Sequence, residues 1–318
     1  MDKKKKWTGI LGIAAGVGTA AFFGAGSLLF DKAMKRKSRT IHNPTPYRMQ
    51  SEKWALWWEK QHTEEITIVT NDGLKLYGYQ LSAGSKPSPV MAVLVHGHEC
   101  RAKELGFLAN MYLSVGIDVF APDLRAHGKS EGKYFTMGPA EASDLIRWIK
   151  ELERRQPRRK YVLHGVSMGA STVMIACGEP DLPKSVICAV EDCGYADLKK
   201  ELNHEFEKQM PKFLSKPAVF SVNAISRLRN GRDLSDKSPL EGVKKSVIPI
   251  LFIHGSSDPV VPVDDCLELY AASQNPLSDI MVVDGAKHAV SYFADPDKYS
   301  DRVKKFVSDS ITAVVNAD

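Results

Sequence analysis

A chain of 318 residues with a formal charge of +5, 43% hydrophobic and 25% charged, has room for one large domain with an extensive core or for two small ones. Nine of its basic residues precede residue 40, so the remainder is close to neutral and offers no basic surface for nucleic acid. The five cysteines form no CxxC pair and show no zinc spacing, which argues against a disulfide framework and against a metal site.

Residues 7–30 contain no charged side chain and are bracketed by basic clusters. As a helix rising about 1.5 Å per residue, such a run spans roughly 36 Å, enough to cross a bilayer core. Gly18-Thr19-Ala20 would pass as a signal-peptidase site, but the apolar run continues beyond it, so an uncleaved membrane anchor is expected over residues 1–39. Gly12, Gly16, Ala20 and Gly24 recur every four residues, a spacing that lets two anchors approach closely as a homodimer. The basic flanks nearly balance; a basic N-terminus kept inside places the domain on the extracytoplasmic side, and that side is the expectation.

Residues 40–63 read as a linker, broken at Asn43-Pro-Thr-Pro46, and a short helix with Trp54, Trp57 and Trp58 on one face. That face suits a membrane interface or the edge of the domain that follows. From residue 64 the pattern changes. Glu65 to Thr70 and Leu74 to Leu81 alternate around Asn71-Asp72-Gly73, a hairpin signature. Continuous apolar runs follow at 91–95, 117–122, 161–163, 186–190, 249–253 and 280–283, separated by helical patterns at 102–114, 139–154, 168–178, 264–274 and 298–312. This alternation predicts an α/β fold, a mostly parallel sheet covered on both faces by helices. Its active site belongs at the carboxyl ends of the strands.

Polar residues collect at those ends. His96-Gly97-His98-Glu99 follows the first parallel run and Asp123-Leu-Arg125-Ala-His127-Gly128-Lys-Ser130 the second. Gly165-Val166-Ser167-Met168-Gly169 follows the third, His254-Gly-Ser-Ser-Asp258-Pro-Val-Val-Pro262 the fifth and Asp284-Gly-Ala-Lys-His288 the sixth. A serine between two glycines on a strand-to-helix turn is held strained, with its hydroxyl presented above the sheet.

With these motifs in this order, the chain resembles the α/β-hydrolase superfamily of serine hydrolases over about residues 64–314. Within it, the chain is similar to membrane-anchored bacterial members of the serine-aminopeptidase-like or monoglyceride-lipase-like kind. The resemblance and the chemistry assign the same roles. Ser167 is the nucleophile, His288 its base and Asp258 the acid that orients the imidazole. Backbone N–H groups of Met168 and His98 form the oxyanion hole. Asp192 is the alternative acid. His96, His127 and His164 are expected to shape loops, and Asp264, Asp265 and Asp284 to serve helix starts and turns. The domain is expected to span 64–318, with a helical lid inserted at about 195–245. Leu198, Leu202 and Phe206 form the stripe of one lid helix, and Ser215-Lys-Pro217 reads as the start of a second. An apolar lid face over a catalytic rim suggests an acyl pocket.

The activity these features predict is hydrolysis of small or medium acyl esters, with no cofactor or metal and no nucleic acid partner. Peptidase or amidase chemistry on the same triad is the alternative, and a non-catalytic membrane-tethered protein on a hydrolase scaffold is a third reading.

Overall fold

The computed structural model describes residues 22–36 and 46–316. These fall into two compact units: Arg36–Leu198 with Lys237 onward, and the residues up to Lys35 with Lys199–Asp236.

The larger unit holds one eight-stranded sheet: β1 (Glu64–Val69), β2 (Lys75–Leu81), β3 (Val90–Val95), β4 (Asp118–Pro122), β5 (Lys160–Val166), β6 (Val186–Asp192), β7 (Ile250–Gly255) and β8 (Asp279–Val283). Their order across the sheet is β1-β2-β4-β3-β5-β6-β7-β8. The β1–β2 hairpin and the β2–β4 pair are antiparallel, and every pair from β4 to β8 is parallel. Burial follows position. Every residue of β3, β4, β6 and β7 is buried, whereas edge strand β1 alternates exposed and buried. That is why the central strands read as unbroken apolar runs and the hairpin as alternation.

Helix α2 (Pro46–Trp58) packs against a 3-10 turn (Ala102–Leu105) and α3 (Gly106–Leu113). Trp58 is 1% exposed, and Trp54 and Trp57 are partly buried on the same core. The tryptophan face therefore covers the core of the larger unit. The remaining helices of this unit are α4 (Pro139–Arg155), α5 (Met168–Cys177), α8 (Pro239–Lys245), α9 (Val263–Ala272), α10 (Ser291–Ala294) and α11 (Pro296–Val315).

The smaller unit comprises a helix over 22–34, α1, together with α6 (Leu198–Glu207) and α7 (Lys212–Asn230), which are inserted between β6 and β7. Helix α7 starts at Lys212, five residues before Pro217, which lies inside it. The expected helix start at Ser215–Pro217 is corrected accordingly: the helix begins earlier and carries the proline in its second turn, where the bond to the Phe213 carbonyl is given up. α1 and α7 touch closely, since a Cβ on Gly26 would lie 2.9 Å from the Ser221 Cβ. Arg229 bonds Asp31 and Ser27 and sits 5.4 Å from the Phe30 ring centre. Among the described residues no helix is long and apolar enough to cross a membrane. Residues 7–21 of the expected anchor, and Asn43 to Thr45 of the breaker, lie outside the described residues.

Candidate active site

Ser167 links β5 to α5 and adopts φ 57, ψ −122. Positive φ in a residue with a side chain is a strained state that the surroundings must hold. Two close approaches hold it. A Cβ on Gly169 would lie 2.0 Å from the Val95 carbonyl oxygen, and one on Gly165 would lie 2.3 Å from the Gly169 oxygen. The Ser167 N–H donates to the Asp192 carbonyl at 2.8 Å, which ties the elbow to β6.

The Ser167 Oγ lies 2.8 Å from His288 Nε2, and His288 Nδ1 lies 2.7 Å from Asp258 Oδ2. The three side chains that the sequence nominated, from loops after β5, β7 and β8, thus form one continuous hydrogen-bonded line. Asp258 Oδ1 accepts from the Val260 and Val261 N–H groups at 2.8 and 3.0 Å. Burial works against the Asp258 charge. Hydrogen bonds from His254 and His288 overcome it and hold the carboxyl well below the usual carboxylate range.

His254, the one histidine of β7, is a partner to which the sequence pattern assigns no role. Its Nε2 lies 3.0 Å from the Val261 oxygen and 3.3 Å from Asp258 Oδ2, so with two acceptors before it this nitrogen carries the proton. Burial disfavours its charge, but the hydrogen bond to the Asp258 carboxylate overcomes that and lifts its pKa to about 9. The four-residue spacing in His-Gly-Ser-Ser-Asp is the sequence signal for this contact. Cys193 was also missed. It is fully buried at φ 54, and its Sγ, Asp258 and His288 offer ligand atoms within 4.8 Å of one another. That trio is the one donor set among the described residues compact enough for a metal ion. Two of its members are already bonded to each other.

The oxyanion candidates lie on the turn at Met168 and the loop after β3. A Cβ on Gly97 would lie 3.3 Å from Ser167 Cβ and 3.8 Å from Oγ, so this loop touches the serine. Two histidines clamp it. His96 Nε2 accepts from the Leu124 N–H at 3.0 Å, which leaves Nδ1–H to donate to the Gly97 oxygen at 2.8 Å. His127 Nε2 accepts from the Glu99 N–H at 3.2 Å while Nδ1–H donates to the Arg125 oxygen at 2.9 Å. Burial lowers the pKa of both, to about 3 for His96. Both therefore stay neutral and act as fixed donor–acceptor struts. The His98 ring packs 5.0 Å from Phe135.

Asp192, the alternative acid, is engaged elsewhere. It accepts from Ser291 Oγ at 3.1 Å and from Tyr299 OH at 3.0 Å. Tyr299, whose O–H is used in donating to Asp192, accepts from His164 Nε2 at 3.0 Å, and His164 Nδ1 then accepts from Tyr112 OH at 2.9 Å. This buried chain pins α11 to β5 and β6. Asp265 Oδ2 accepts the Ala196 N–H at 2.9 Å, and Asp284 Oδ1 accepts from Ser256 Oγ at 3.1 Å; neither is bonded to His288.

A mostly parallel eight-stranded sheet with a strained serine on the strand-to-helix turn defines the α/β-hydrolase class. The family model described as the alpha/beta hydrolase family matches residues 92–302, and the chain belongs to that family. It is similar to the uncharacterized protein YqkD of Bacillus subtilis, with 25% identity over 253 residues, 79% of this chain and 81% of that one. The uncharacterized protein YfhR of Salmonella typhimurium is 26% identical over 259 residues, 79% of this chain and 83% of that protein. Among solved structures, the Pyrococcus furiosus esterase Pf2001 is 25% identical with a TM-score of 0.64, covering 85% of this chain and 98% of the esterase. Est1E of Butyrivibrio proteoclasticus, bound to ferulic acid, shares the fold at 16% identity and a TM-score of 0.58, covering 78% and 99%.

Proposed function

We propose that this chain is a serine hydrolase that cleaves carboxylic esters through an acyl-enzyme. The observation that carries the reading is the unbroken line from Ser167 Oγ through His288 to Asp258. His288 Nε2 takes the Ser167 proton as Oγ attacks the acyl carbon. Asp258, held ionised, stabilises the imidazolium and keeps Nδ1 protonated, so Nε2 is free to act as the base. The Met168 and His98 N–H groups meet the negative oxygen of the tetrahedral intermediate. His288 returns its proton to the departing alcohol. Water then repeats the sequence on the acyl-serine. The likeness to the Pyrococcus esterase supports ester over amide substrates. No step calls for a metal or cofactor.

The test is turnover of p-nitrophenyl esters of graded chain length against matched aminoacyl amides, with the Ser167→Ala variant beside the wild type. Ester turnover lost in that variant, with fluorophosphonate labelling lost in parallel, supports the proposal. Undiminished turnover overturns it, and a preference for the amides moves the assignment to peptidase chemistry. The proposal includes membrane attachment through the uncharged run that begins at Trp7.

A further inference from the structure

The smaller unit exposes apolar side chains along one face of α7. Phe213 is 77% exposed, Phe220 67% and Leu228 71%, and Pro217 is exposed on the same stripe. On α1, Phe23 is 40% and Leu28 76% exposed. The two faces adjoin, since the Phe22 and Phe220 ring centres are 5.9 Å apart. The opposite side of α7, with Ala218, Val219, Val222 and Ile225, is buried. A surface helix that buries one apolar side and carries a second, aromatic one outward departs from the usual soluble pattern of a single apolar stripe facing the core.

Two observations identify the occupant as lipid. Lys216 is exposed beside the stripe, as is Lys212, whose Nζ lies 3.9 Å from Glu207, in position for anionic headgroups. The second is continuity along the chain. α1 leads back directly into the uncharged run that begins at Trp7, so its proposed attachment to lipid brings the exposed faces of α1 and α7 to the same bilayer.

We infer that the outer face of α7, with Phe23 and Leu28 of α1, lies in the interface of the bilayer to which the N-terminal run attaches. The chain then meets the membrane at two places, and the insertion between β6 and β7 is one of them. This inference rests on the proposed membrane attachment and is independent of the ester chemistry.

The experiment uses the full chain with Phe220→Cys labelled by a nitrobenzoxadiazole dye, since the five native cysteines are buried. Asp309→Cys, on exposed polar surface, is the control. Phosphatidylglycerol–phosphatidylcholine vesicles with brominated acyl chains should blue-shift and quench the label at 220 and leave that at 309 unchanged. Phe213→Asp with Phe220→Asp should weaken vesicle partition by about tenfold per side chain withdrawn from lipid, with ester turnover in detergent unchanged. Co-sedimentation without quenching at 220 would mean attachment by the N-terminal run alone and overturn the inference. So would a blue shift without vesicles, whether it grows with protein concentration, as for a second copy, or does not, as for the chain's own N-terminal residues. Failure to sediment would overturn both the inference and the attachment it rests on, while leaving the ester reading to its own assay.

Discussion

Replacing Asp258 by asparagine should cost about four orders of magnitude in kcat, and the hydrogen bonds explain why. The Asp258 Oδ1 accepts two backbone N–H groups at 2.8 and 3.0 Å, while Oδ2 faces His288 Nδ1 at 2.7 Å and His254 Nε2 at 3.3 Å. An amide must place its NH2 on one side or the other. Turned toward Val260 and Val261 it would meet two donors that cannot change and leave both unpaired, at about 1–3 kcal/mol each. Turned toward His288 it meets an imidazole that can shift its proton to Nε2 and accept at Nδ1. The second orientation wins by a few kcal/mol. It leaves His288 with a proton on the nitrogen facing Ser167, so the histidine can no longer serve as base. Loss of the correct tautomer at a triad of this kind lowers kcat about 10⁴-fold, or about 5.5 kcal/mol of barrier. The assay is steady-state hydrolysis of p-nitrophenyl butyrate beside a thermal melt. The melt should hold within a few degrees, because the asparagine oxygen keeps both backbone donors satisfied. A folded variant with kcat within tenfold of wild type would refute the reasoning.

Other perturbations separate backbone from side-chain roles. Gly169→Ala would press a methyl into the Val95 carbonyl at 2.0 Å; a loss of about 3 kcal/mol or more, roughly 10 °C in melting temperature, is expected, and an unchanged melt would contradict it. Gly97→Ala meets Val166 O at 3.1 Å and Ser167 Cβ at 3.3 Å, so it should fold and lose about tenfold in kcat through slight misplacement of the oxyanion loop. His98→Ala keeps its backbone N–H and should retain kcat within about tenfold, whereas removing a true donor costs about 10²–10³; a loss in that larger range would give the ring a direct role. Asp192→Asn should leave ester turnover within tenfold, in contrast to Asp258→Asn. Stability, read as the urea midpoint, should fall as pH rises from 6.5 to 9. Glu191, raised to about 8 by burial, stays neutral in the fold but ionises in the unfolded chain, so its share declines from pH 4.5 upward. His254, raised to about 9, contributes fully below 6.5 and loses that contribution as it deprotonates. Glu191→Gln should flatten the slope, and a midpoint that rises across this window would refute the assignment.

The strand ends were readable because buried parallel strands leave an unmistakable apolar run, and the polar residues after each run then stand out. Ser167, Asp258 and His288 were legible for that reason. His254 was not, because a histidine at a strand end looks the same whether it touches a carboxylate or packs in a core. Proline at 217 reads as a helix opener, whereas the helix begins five residues earlier at Lys212 and carries the proline inside it. The tryptophans of α2 lie on one face, as the periodicity predicts, but periodicity cannot say whether lipid or protein covers that face. The same blindness applies to residues 7–30. Hydropathy averages over all sides of a helix, and it could not separate Phe30, fully buried and stacked against Arg229, from Leu28, 76% exposed.

The two acids that ended adjacent strands in the sequence are sorted by the donors around them. Asp192 is bonded to the hydroxyls of Ser291 and Tyr299, and burial raises its pKa to about 6. Hydroxyls can donate to a carboxylate or accept from a carboxylic acid, so this site tolerates either protonation state and suits a structural link. Asp258 faces two backbone N–H groups and two imidazoles. Backbone amides cannot accept, so a proton on Oδ1 would break both of its bonds, and a proton on Oδ2 would force His288 out of the tautomer that leaves Nε2 unprotonated. A residue that must stay ionised while a neighbouring imidazole gains charge requires the second environment. The lining of the site, more than the order of residues along the chain, therefore favours Asp258 over Asp192 as the acid of the proposed triad.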